Sequence, residues 1–122
     1  MSTIQVVPRA KESRSNAGVD YRPAFESETD QVGEVRVAAK STGGWHHHGK
    51  RTLYGYVVSG RPVLEFGREG KEHVSLSAGD FFQVPPGLIH RDVNPNSEEA
   101  IIMIFNIGPG PASYDESEPQ KE

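Results

Sequence analysis

The chain has 122 residues, 34% of them hydrophobic and 25% charged, with a formal net charge of −4. That length fits one domain with a single core and leaves no room for a second catalytic domain. The absence of Cys excludes disulfides, thiolate zinc sites and cysteine nucleophiles. Scattered Lys and Arg in an acidic chain exclude an electrostatic footprint for nucleic acid or an anionic membrane.

In chain order, the opening "MSTIQVVPRAKESRS" has no long apolar stretch, and nowhere do about 18 apolar residues run together, so a soluble cytoplasmic protein is expected. Residues 1–33 read as a polar, irregular N-terminal arm in which "IQVV" (4–7) is the sole strand candidate; such arms wrap a neighbouring subunit or an outer sheet, or stay disordered. From residue 34 the pattern sharpens into eight strand-like runs, 34–40, 44–48, 52–59, 61–67, 72–77, 80–85, 88–93 and 100–107, rich in Val, Ile, Phe and Tyr. The joints "SGRP", "GREGK", "SAGD", "PPG" and "NPNS" are turns made by Gly, Pro, Asn and Asp. No stretch of about 11 residues carries apolar residues at a helical period, which excludes a helical bundle. Residues 108–122 ("GPGPASYDESEPQKE") are acidic and rich in Pro and Gly, and read as a flexible tail. Eight closely spaced strands over 34–107 predict an all-β sandwich or small barrel.

Three of the five histidines stand side by side in "GGWHHHGKR". Side chains at i and i+2 of a strand share a face, about 6.5–7 Å apart along the backbone, so His46 and His48 face together and His47 faces away. Two imidazoles on one face can converge on one ion but need a third ligand. His90 is the candidate, since the rigid turn "VPPG" (84–87) sets its direction of entry. Blander readings apply to single residues: the His46/His48 pair also fits the surface of an edge strand, His47 and His73 fit structural or solvated positions, and Trp45 fits an outer packing contact.

The segment "GDFFQVPPGLIHRDVN" (79–94) resembles the second motif of the cupin superfamily, G-x5-P-x-G-x2-H-x3-N, at Gly79, Pro85, Gly87, His90 and Asn94. The segment "WHHHGKRTLYGYVVSG" (45–60) is similar to the first motif, G-x5-H-x-H-x(3,4)-E-x6-G, at His46, His48 and Gly60. Its first glycine falls on Lys40 and its metal-binding glutamate on Leu53, so the usual fourth ligand is missing. The resemblance implies an all-β cupin double-stranded β-helix, a jelly-roll barrel, over residues 34–107. It implies a divalent metal held by His46, His48 and His90, with Fe(II) favoured and zinc, nickel, manganese and copper also suited to imidazole ligands. Three-histidine relatives include iron-dependent dioxygenases whose substrate chelates the metal, so a small-molecule substrate is expected; an isomerase or lyase, or a cupin that binds metal or ligand without turnover, is the alternative. Small cupins resemble dimers, so a homodimer is expected. No helix-turn-helix segment accompanies the barrel, which argues against a regulator's sensor domain. Around the site, Arg36, Tyr54, Tyr56, Gln83 and Arg91 have polar reach, and Asn94 is either a group beside the ligands or a turn residue. Strand parity from Leu53 turns Gly55 and Val57 inward and both tyrosines outward, unless a bulge brings Thr52, Tyr54 or Gln83 to the ion.

Overall fold

A computed structural model describes residues 2–8 and 13–121, which form twelve β-strands. One sheet runs in the order β1 (Arg14–Asn16), β2 (Val19–Glu26), β3 (Asp30–Val37), β11 (Ala100–Ile107), β6 (Thr52–Ser59), β9 (Phe81–Val84). The other runs β12 (Tyr114–Asp115), β5 (His46–His47), β10 (His90–Asn94), β7 (Val63–Phe66), β8 (Glu72–Ser75), with β4 (Ser41–Thr42) also pairing β10. The strand pairs are antiparallel throughout. Among the described residues no helix is long and apolar enough to cross a membrane.

The two long central strands show why this chain packs as two facing sheets. Along β6, Leu53, Gly55 and Val57 are buried while Tyr54 and Val58 are exposed; along β11, Ala100, Ile102, Ile104 and Asn106 are buried. Alternation of this kind gives each sheet one apolar face, and burying the two faces against each other removes both from water. Val35, Val37, Val57, Leu64, Leu76, Ala100 and Ile102 form the core between them.

The N-terminal third departs from the irregular arm expected of it. "IQVV" is not a strand, and Ile4 is exposed. Residues 14–26 instead form the hairpin β1–β2, which extends the first sheet through β3. The turn is made by Ala17 (φ 52°) and Gly18 (φ 83°), both left-handed, as a two-residue hairpin of matching twist requires. Pro23, which has no N–H to donate, lies where the β2–β3 register shifts, a bulge that relieves the ladder of one bond. The C-terminal tail is also built in: β12 adds to β5, the Arg51 guanidinium donates to the carbonyls of Gly110 and Glu28, and Glu116 N–H donates to Trp45 O.

Gly55 carries the ring of Phe82 directly over its Cα, so a Cβ there would overlap the ring. Gly55→Ala should therefore lower stability by about 1–3 kcal/mol through overpacking; urea unfolding reads this, and an unchanged midpoint would show that Phe82 moves aside freely.

Candidate metal centre

β5 and β10 are neighbours, and their register pairs His90 with His46. With His48 two residues beyond His46, the three rings meet inside the barrel: centroids lie 4.3 Å apart for His46–His90 and 5.1 Å for His46–His48 and for His48–His90. One ring nitrogen from each lies within 4.8 Å of the other two. His48 and His90 are buried, at 7% and 3% exposure, and His46 is half-buried.

Each ring is held by a backbone carbonyl on its Nδ1 side: His46 by Gly44 O, His90 by Leu88 O and His48 by Ala112 O, each at 2.9 Å. A carbonyl only accepts, so each Nδ1 carries the proton and donates it, which leaves the Nε2 lone pair of all three rings available. Among the described residues His48 Nε2 is buried with no hydrogen-bond partner. Burial pushes His48 and His90 down to about 4, with neighbouring histidine charge acting in the same direction. Both rings are therefore neutral at pH 7, the form a metal ligand needs.

Leu53 occupies the place of the motif's glutamate. It is buried beside the triad and lines the cavity, so the position faces inward but offers only carbon. No bulge compensates: β6 keeps regular register with β9 from Leu53 to Tyr56, which turns Thr52 and Tyr54 away from the interior. Tyr54 is 44% exposed and pairs with exposed Gln83 on the outer face. Arg36 lies on the outer face of β3, in ion pairs with Glu34 (2.6 Å) and Glu99 (3.1 Å). Arg91 is likewise outward, bonded to Glu65 at 2.7 Å and stacked on Trp45. These side chains are absent from the cavity because strand parity sends them to the opposite face. Asn94 is inward and fully buried, but its amide donates to Val37 O and Glu98 O and accepts from Asn96 N, so it closes the turn after β10. Lys40, at the place of the motif's first glycine, takes a left-handed backbone (φ 56°), and Gly60, Gly79 and Gly87 also have positive φ.

The triad opens onto a cavity of about 280 Å³ walled by Val35, Leu64, Phe82, Val84, Ile102 and Ile104. Three participants escape a reading of the sequence. Asp92 lines the cavity beside the histidines, and burial pushes its carboxyl group up while His46 and His48 pull it down. Its position two residues after His90 was the available signal. Ala112, in the tail, holds His48 and also accepts from Asn106 Nδ2 at 2.9 Å; the same amide donates to Gln31 Oε1 at 3.2 Å. Nothing in the sequence links residues so distant along the chain. His47, facing away from the triad, clamps this tail: its ring stacks on Tyr114 at 4.8 Å and its Nε2 lies 3.4 Å from Glu116.

Known proteins share this fold. A protein of Klebsiella pneumoniae subsp. pneumoniae MGH 78578 with a double-stranded β-helix domain superposes with a TM-score of 0.69 at 18% identity, covering 90% of this chain and 89% of its own. Oxalate decarboxylase from Bacillus subtilis superposes with a TM-score of 0.72 at 20% identity over 86% of this chain, but this chain spans only 29% of the decarboxylase. The cupin domain of Schizosaccharomyces pombe Cnp3 gives 0.67 at 12% identity, covering 78% and 64% of the two chains. At these identities the likeness establishes the double-stranded β-helix fold alone. A search of curated protein sequences finds no match. The sequence model of the cupin domain matches residues 33–107, more than half of the chain, and the protein belongs to the cupin family.

Proposed function

We propose that this cupin holds a divalent metal ion on the Nε2 atoms of His46, His48 and His90, and that with Fe(II) it is a dioxygenase for a small chelating substrate. The observation that carries the reading is the set of three carbonyl-locked Nδ1 atoms, which leaves three lone pairs converging where His48 Nε2 is buried without a partner. A buried, unpaired acceptor is costly, and a cation is the partner that three acceptors have in common. Bound there, iron would supply a Lewis-acidic redox centre with positions left open for substrate. The protein's own part is to hold the ligands and keep the site dry. The backbone carbonyls fix the rings, Leu53, Val84 and Ile104 present an apolar wall, and residues 112–115 cover one side through Ala112 and β12.

Elemental analysis of tag-free protein tests the ligand set: wild type should carry close to one metal per chain and His46→Ala/His90→Ala essentially none, whereas equal contents would refute the site. Oxygen uptake by Fe(II)-loaded protein against diketones, thiols and catechols tests the reaction, with turnover lost in His48→Ala. Metal binding without turnover across that panel would assign the cavity to binding alone. Asn106→Ala should weaken zinc affinity about 10- to 100-fold by releasing the carbonyl that orients His48, with faster amide exchange over residues 111–116; unchanged affinity would show that the tail only covers the site.

Acidification has a defined sign. Because His48 and His90 titrate near 4 in the folded protein and near 6.5 when unfolded, the unfolded chain binds more protons between those values, so folding stability falls as pH drops through that window. The thermal midpoint of chelator-treated protein should be flat above about pH 7 and decline from about 6.5 to about 4. A profile flat throughout would mean that the two rings are not buried neutral.

A further inference from the structure

Of the ionisable side chains that line the cavity outside the proposed ligand set, Asp92 stands closest to the triad along the chain. Asp92 follows His90 by two residues on β10, shares its inward face, and stands opposite Leu64 of β7. It lines the cavity with the three histidines, yet its oxygens fall outside the group of ligand atoms that lie within 4.8 Å of one another. Among the described residues its carboxyl oxygens have no hydrogen-bond or ion-pair partner. A half-buried carboxyl group without a donor is destabilising unless something else supplies one.

The rest of the lining narrows what that donor is. Arg14, the one Lys or Arg among the described lining residues, is bonded through both terminal nitrogens to Glu26 at 2.8 and 3.2 Å, with its guanidinium 5.8 Å from the centre of the Tyr21 ring. Asp115 of β12, paired with His46 across the strand, adds a second carboxylate to the lining. The remaining walls are largely aliphatic and aromatic, with Asn16, Gln31, Ser113 and the Tyr21 hydroxyl as their neutral polar groups, the hydroxyl buried and unpartnered among the described residues. A dianion entering this space meets two carboxylates, and the guanidinium that would offset them is already engaged by Glu26.

We propose that Asp92 restores a carboxylate to the site in place of the glutamate lost at Leu53, accepting a hydrogen bond from a hydroxyl or amine of the ligand bound at the triad. The cavity accordingly takes a small molecule with an apolar body and a hydrogen-bond-donating head, and disfavours dicarboxylates. This rests on the metal reading above, and the test separates the two. Zinc-loaded protein, free of redox chemistry, is titrated calorimetrically with 4-methylcatechol and with oxalate, using wild type, Asp92→Leu and Asp92→Asn. Zinc content and thermal midpoint are measured on each. The catechol should bind wild type at least about tenfold tighter than oxalate, and Asp92→Leu should lose at least about tenfold of that affinity while keeping its zinc, a difference the size of one good hydrogen bond to a charged group. Asp92→Asn, whose amide oxygen still accepts, should fall between, and it carries the test if the Leu variant does not fold. Tighter binding of oxalate, catechol affinity indifferent to residue 92, or no binding of either probe by zinc-loaded wild type would each overturn the inference and leave the metal site standing. A wild type that takes up no zinc overturns both.

Discussion

The pairing of His90 with His46 across β10 and β5 is the constraint on which the site depends. Strand side chains alternate between faces, so a slip of one residue in this register would turn His90 and Asp92 outward and bring Arg91 in. The register is held from both flanks. On one side β10 pairs with β7 over four residues, from His90–Phe66 to Val93–Val63; on the other, Asn94 and the β4 bridge anchor its far end. The inward ladder of β10, from His90 through Asp92 to Asn94, then passes from a histidine of the triad to a carboxyl group of the cavity to a satisfied structural amide within five residues. Three roles come from one repeating geometry, separated only by depth along the barrel.

Packing three imidazoles into an apolar interior is expensive if they are charged and tolerable if they are neutral. The fold secures the neutral form by burial and its tautomer by hydrogen bonding. Burial lowers proton affinity at His48 and His90, and the carbonyls of Gly44, Leu88 and Ala112 hold each remaining proton on Nδ1. Two of these carbonyls belong to residues two positions before the histidine they orient, so the local chain supplies them. The third comes from the tail, 64 residues away from His48. The C-terminal segment is therefore part of the site, and His47, the outward member of the histidine run, takes part by stacking on Tyr114.

Much of this was legible in the chain itself. Strands β6 and β11 appear with the limits that alternation and turn residues predict, and their interior residues follow from parity. The histidine triad followed from an i, i+2 pair and a rigid Pro-Gly turn before a third histidine. Parity also pointed Tyr54 outward, against its candidacy for the cavity, and would have found Asp92 had it been applied beyond His90. Polar reach alone nominates Arg36 and Gln83, and it carries no information about face. The hairpin at 14–26 escaped because Ala17 stands where a left-handed turn usually has Asn or Gly, so the strongest turn signal was absent. Lys40 hides a left-handed position in the same way.

The amino-acid sequence by itself determined what is local or periodic: an all-β chain, the turns that end its strands, the faces on which its side chains fall, and the three histidines able to meet. Those properties are set by backbone sterics and side-chain alternation, which act over a few residues. Only the tertiary structure decided which strands become neighbours, and with that the company each inward residue keeps. Polar composition leaves the N-terminal arm either docked or loose and marks the tail as loose, and the structure uses the one to extend a sheet and the other to orient His48. Hydrogen bonds between residues far apart in the chain form only after the barrel has closed, and no pattern along the sequence records them.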